Sequence, residues 1–270
     1  MRTLITSKAK IILSALLFFM FGVSIIWARA GGGGGGGGGC GGGGFHGGGG
    51  GGGAPLFSQK NWPILVLGCA GLALLTYVMN WWSNKKVQKY EEKAATALKE
   101  FSEIDVEWDE NHLEDMVGKS FMAIQKAWCE EDLPALEKRL LPDLYAKWEK
   151  DIRFYKEVGQ KNYMDDLQID QVKIVSVENH TQWEKDLITA CIDAGARDYF
   201  KTDDGKYFAA DNSQTALTTG SDVLFKHFRE FWTYKRTGWK DWRLTLVEQE
   251  GEWVQDDVKP VVEDKPDTIS

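Results

Sequence analysis

Ile188-Thr-Ala-Cys-Ile-Asp-Ala-Gly-Ala-Arg197 is the stretch whose reading decides the fold. Ile188, Ala190, Ile192, Ala194 and Ala196 alternate with Thr189, Cys191, Asp193, Gly195 and Arg197. A period of two places the first set on one face of a strand and the second on the other. Upstream, Val172, Ile174 and Val177 suit a strand as well. Downstream, Asp203-Asp204-Gly205 separates Tyr199-Phe200 from Tyr207-Phe208, which is the signature of a hairpin turn. Residues 209–221 are polar and turn-like. Leu224 to Tyr234 is rich in aromatics, Gly238 marks a further turn, and Trp242, Leu244 and Leu246 alternate again.

Before residue 165 the period is three to four. Asp109 is placed to cap a helix whose apolar stripe is Leu113, Met116, Val117, Phe121, Ile124 and Trp128. Asp132 caps a second helix with Pro134 in its first turn. Pro142 interrupts, and Asp143 starts a third with Leu144, Trp148, Ile152 and Tyr155 on one face, closed by Gly159. Helices first and antiparallel strands afterwards give an α+β class, with helices at about 110–160 covering a sheet at about 165–250.

The chain before residue 105 has a different character. Residues 1–30 read as a secretory signal, with Arg2, Lys8 and Lys10 before an apolar run and Ala28-Arg29-Ala30 as a small-x-small site; an uncleaved anchor is the competing reading. Residues 31–61 are a glycine-rich linker, its glycine run broken by Cys40, Phe45 and His46, with little to bury. Trp62 to Trp82 carries no charge, and at about 1.5 Å per residue it reaches about 31 Å, enough to cross a hydrocarbon core as one transmembrane helix. Trp62 at one end, and Tyr77, Trp81 and Trp82 at the other, suit the two interfaces. Lys85, Lys86, Lys89 and Lys93 follow closely, which places the glycine-rich segment outside and everything after residue 83 in the cytoplasm. Residues 83–104 form an amphipathic juxtamembrane helix on Val87, Tyr90, Ala94, Leu98 and Phe101, either lying near the headgroups or continuing the membrane helix onto the domain. Residues 105–253 form the main domain, and 254–270 an acidic tail.

Composition excludes several function classes. A net charge of −8 and a pI of about 5.2 argue against a nucleic-acid binder, which needs a basic field. Cys40, Cys69, Cys129 and Cys191 form no C-x-x-C pair, so no disulfide framework or zinc site is legible, and Cys129 and Cys191 read as small core residues. His46, His112, His180 and His227 stand at no ligand-like spacing, His112 reading as an exposed first-turn residue. No nucleophile elbow, P-loop, zincin motif or dinucleotide fingerprint occurs, so neither a metal nor a cofactor is expected.

Two stretches carry a family resemblance. One is Phe121-Met-Ala-Ile-Gln-Lys-Ala-Trp128, followed by Asp132-Leu133, Leu140 and Leu144-Tyr145. The other is Phe228-Arg-Glu-Phe-Trp-Thr-Tyr234, followed by Trp239, Trp242-Arg-Leu-Thr-Leu246 and Glu248-Gln249. Together they resemble the Tim forty-four-like domain, named for a subunit of the mitochondrial inner-membrane translocase. The order of signal, glycine-rich run, membrane helix and domain resembles bacterial members of that family. The resemblance implies a nuclear-transport-factor-two-like cone, helices packed on a curved antiparallel sheet around a pocket. It implies a membrane-bound module for lipid or for a membrane or translocation protein. The mitochondrial chaperone-binding region has no counterpart here.

The aromatic residues Trp128, Tyr145, Trp148, Phe228, Trp232, Tyr234 and Trp242, with Ile152, are the candidates to line that pocket; as core, they would fill the cone instead. An apolar pocket among them would suit an acyl chain or an apolar peptide segment. Two other readings stand beside this non-catalytic binding module. One is a protein scaffold with a filled core. The other is a small acid–base enzyme of the same fold using His227, Asp193 or Arg197.

Overall fold

The computed structural model describes residues 62–210, 216–217, 219–250 and 252–253, without the side chains of 62–69, 72, 80 and 216–217. The expected signal segment, glycine-rich linker and acidic tail lie outside the described residues. The first element is α1, Trp62–Ser102, a single helix of 41 residues. Its second half carries Lys, Glu, Gln and Ala, which favour helix, and has neither Gly nor Pro to interrupt it. The expected membrane segment and the expected juxtamembrane helix are therefore one uninterrupted element. Among the described residues no helix is long and apolar enough to cross a membrane. The apolar window of the sequence falls in the first half of α1, where the side chains of 62–69 are not described and Leu74, Tyr77, Met79, Trp81 and Trp82 are exposed.

A 3-10 turn, Val106–Trp108, leads into α2, Glu110–Glu130. Asp109 caps α2 by accepting from the His112 backbone N–H at 2.9 Å. Asp132 caps the short α3, Leu133–Glu137, by accepting from Ala135 N–H at 3.0 Å. The next helix, α4, is Pro142–Glu157. It starts one residue before Asp143, because proline fits a first turn that needs no N–H. Gly159 follows at φ 66°, the left-handed conformation that ends a helix.

Among the described residues six strands form one antiparallel sheet: β1 Gln160–Glu178, β2 Leu187–Thr202, β3 Tyr207–Ala209, β4 Ala216–Leu217, β5 Lys226–Gly238 and β6 Asp241–Gln249. β2 is central. One edge pairs with β1, and the other pairs with β5 over residues 187–196 and β3 over 199–201. Gly205, at φ 82°, makes the expected β2–β3 turn. β1 begins at Gln160, earlier than the period change near 165. Its register slips at Asp165/Gln168, at Ile169/Gln171 and at Ile174/Ser176, with Asp166 at φ 55°. Such bulges bend a strand and break its alternation, which is why the first part of β1 does not read as strand.

The helices cover one face of the sheet. There Ile188, Ala190, Ile192 and Ala194 of β2, Trp232 and Tyr234 of β5 and Leu244 of β6 meet Val117, Phe121, Ile124, Trp128, Trp148 and Ile152. Ala94, Ala97, Leu98 and Phe101 of α1 join the same core. On the opposite face Val175, Cys191, Phe231 and Trp253 pack with Val87 and Tyr90. Trp253 stacks on Phe231 with ring centroids 4.1 Å apart, and Tyr90 meets it edge-on at 5.4 Å. At the end where α1 stops, the buried Arg236 bonds Asp105 at 3.0 Å and Asp186 at 3.3 Å. Burial pushes the Asp186 carboxyl above its usual range, partly offset by its bonds from His180 N–H and Arg236.

Candidate functional site

Gly118, Met122, Gln125 and Cys129 recur at helical spacing and form a stripe of α2 beside the one that enters the core. Facing it, the bulged part of β1 presents Met164, Leu167, Ile169 and Val172. Between them lies an open groove of about 820 Å³ with mostly apolar walls. A Cβ added at Gly118 would stand 3.7 Å from Ile169 Cδ1, an ordinary contact, so the wall there is close but not tight.

Polar groups around the groove differ sharply in circumstance. On the rim, Lys119 pairs with Asp115 at 2.5 Å and Lys126 with Glu130 at 3.8 Å, both exposed i,i+4 pairs that neutralise each other. In the wall, Gln125 is fully buried, and neither its Nε2 nor its Oε1 has a hydrogen-bond partner among the described residues. A buried amide left unpaired costs free energy on both atoms. Cys129 is the other polar wall residue. Burial pushes its thiol up to about 12, with the Asp198 carboxylate acting in the same direction, which keeps it protonated at neutral pH.

The aromatic residues expected to line a pocket meet instead. Phe121 and Trp232 approach to 4.9 Å between centroids, Trp128 and Trp148 to 5.5 Å, and Trp108 and Trp242 to 5.6 Å. Trp128, Trp148, Ile152, Trp232, Tyr234 and Trp242 are all buried in one core, with Tyr145 and Phe228 packed partly buried against it. Trp128 Nε1 donates to Asn162 at 3.2 Å and Trp232 Nε1 to Glu230 at 2.9 Å, so these two indoles also satisfy their polar edges internally. Of the eight, only Phe228 borders one of the described clefts, a polar one of about 380 Å³ that Asn84 of α1 also lines.

That polar cleft gathers two of the three acid–base candidates. Asp193 and His227 both line it, beside Asp170 and Arg229. Each is already engaged. Asp193 receives two bonds from Arg229, and His227 Nδ1 lies 2.8 Å from Asp170 Oδ2. Arg197 turns away, donating to Asp166 at 2.8 Å and to the Ser221 carbonyl at 3.1 Å. Among the described residues no group of three His, Cys, Asp or Glu side chains is placed to hold a metal ion.

Sequence reasoning did not single out the groove. Its one readable trace is Gln125 itself, a polar residue set between Ile124 and Trp128 in the apolar stripe of α2.

The family model described as the Tim44-like domain matches residues 94–249, from the second half of α1 to the end of β6. Curated proteins give no match. Among solved structures, the intermembrane space region of the chloroplast protein ARC6 is similar at 12% identity and a TM-score of 0.38, covering 52% of this chain and 95% of that one.

Proposed function

Since the chain belongs to the Tim44-like domain family, we propose that it is a non-catalytic binding module, held at the cytoplasmic face of a membrane by the first half of α1, which takes an apolar ligand in the α2–β1 groove. The groove carries this reading: its walls are mostly apolar, and at about 820 Å³ it has room for an acyl chain or a short apolar segment. Membrane attachment is supported by the uncharged run 62–82, by the exposed Tyr77, Trp81 and Trp82, and by the lysines that follow. Lys86 lies over the Trp82 ring at 4.8 Å, the pairing of cation and aromatic ring expected near headgroups. Non-catalytic action is supported by the paired state of Asp193 and His227 and by the protonated Cys129 thiol. Lipid, or a membrane or translocation-related protein, is the class of partner that follows.

The filled aromatic cone favours a second reading, a scaffold that binds partners on its surface and nothing in the groove. One experiment separates the two. The full chain, extracted in native bilayer discs, is analysed for associated lipids and peptides beside Ala123→Phe, which places a ring in the groove from its α2 wall. The binding module predicts species present with the wild type and depleted in the variant. Identical sets would leave the scaffold reading.

A further inference from the structure

Lys85, Lys89 and Lys93 stand four residues apart on α1, and Lys86 lies beside them, so the four ammonium groups form one stripe along the helix. All four are exposed, and none has an ion-pair partner among the described residues. The other side of the same turns carries Val87, Ala94 and Leu98, buried among the core residues, and Glu91, which pairs with Lys173 of β1. The stripe therefore faces away from the sheet. Like charges at this spacing repel and weaken a helix. In a chain of net charge −8, four such cations in one place invite a counter-charge.

The last described residue stands beside them. Trp253 stacks on Phe231 and meets Tyr90 edge-on at 5.4 Å, and Lys93 Nζ lies 5.8 Å from the centre of the same Tyr90 ring. The residues that follow are Val254-Gln-Asp-Asp257, and the segment 254–270 sets Asp256, Asp257, Glu263, Asp264 and Asp267 against Lys259 and Lys265. Three or four residues of extended chain span about 10–14 Å, enough to carry Asp256 and Asp257 from Trp253 to the stripe. We propose that the acidic segment 254–270 docks on the lysine stripe of α1, with Asp256 and Asp257 as its first contacts. Exposed ion pairs are individually weak. A tether this short raises the effective concentration of the carboxylates, so several weak pairs act together. The segment then competes with any other anionic surface for the same lysines, an anionic leaflet included. The docking does not involve the α2–β1 groove and stands or falls apart from it.

Carbodiimide cross-linking, which joins a lysine to a carboxylate in direct contact, tests this with the full chain in discs of phosphatidylcholine. The Lys173–Glu91 pair serves as the internal control. Mass spectrometry should find Asp256 or Asp257 joined to Lys85, Lys86, Lys89 or Lys93, and these links should fade in about 0.5 M NaCl, where charges are screened within a few Å. Acetylation rates give the second measurement. In the double variant Asp256→Asn, Asp257→Asn the four lysines should acetylate about two- to fivefold faster, the factor that weak exposed ion pairs supply, while Lys119 on α2 keeps its rate. The control link without tail links overturns the inference. So do tail links to other lysines only, or unchanged acetylation in the variant. Protection of the four lysines that appears only in discs containing phosphatidylglycerol, and equally in the variant, assigns the stripe to the leaflet and overturns it as well.

Discussion

Arg229 grips Asp193 with two parallel hydrogen bonds, Nε to Oδ1 at 2.7 Å and Nη2 to Oδ2 at 2.8 Å. The two residues face each other across β5 and β2. The same guanidinium donates to Ser83 Oγ at 3.2 Å, so a sheet residue reaches α1 at the end of its apolar window. The bonds to Asp193 raise the guanidinium's affinity for its proton still further. An ammonium cannot reproduce this fork. Arg229→Lys should therefore cost about 1–2 kcal/mol of stability, the scale of a charge-assisted hydrogen bond in a half-buried site. Urea denaturation of the two proteins side by side measures it, and equal midpoints would contradict it.

The aromatic cone is packed, so its tryptophans should behave as core. Trp148→Ala and Trp232→Ala should each lower stability by about 3–5 kcal/mol. Both side chains are essentially inaccessible to solvent, at 1% and 0% exposure, with no cleft among those described to absorb the loss. Thermal melts followed by circular dichroism provide the measurement. A variant that kept its melting point would show that these rings border space after all.

Gln125→Leu should act in the opposite direction on the unliganded chain. It removes two buried polar atoms that lack partners and keeps a similar volume. Stability should rise by about 1 kcal/mol. A fall of the same size in denaturant titration would mean that the amide is satisfied in solution.

Glu114 provides a test of sign. Burial raises its carboxyl above the usual value of 4.5, with Glu110 and Glu91 adding like charge, against Lys173 and a bond from the Ile174 backbone. The native state then holds the proton more tightly than the unfolded chain. This contribution favours folding below about pH 4.5 and is lost as pH climbs through the native value. Glu114→Gln removes that loss, so the variant should gain on the wild type as pH rises from about 4 to about 8. A stability difference flat across that window would refute the assignment.

The arrangement of elements was legible where local chemistry dictates it. Alternation in residues 188–197 marked the central strand, and Asp109, Asp132 and Gly159 marked helix ends, because a cap needs only its own backbone neighbours. The start of β1 was hidden because each bulge reverses which residues face the core, so no single period survives. The aromatic residues were recognisable as a set, but whether they meet or part depends on the spacing of helices over the sheet, which no local pattern encodes. The groove was hidden for the same reason. Its two walls are far apart in sequence, and no local pattern joins them.

One property of α1 reaches beyond packing. At about 1.5 Å per residue its 41 residues make a rod about 61 Å long. Ala94, Leu98 and Phe101 near one end are embedded among the residues that hold the sheet to the helices. No hinge residue separates that end from Trp82. Tension or torque applied to the apolar half would therefore arrive undamped at the centre of the domain, and any turn of that half about its axis would swing the groove by the same angle.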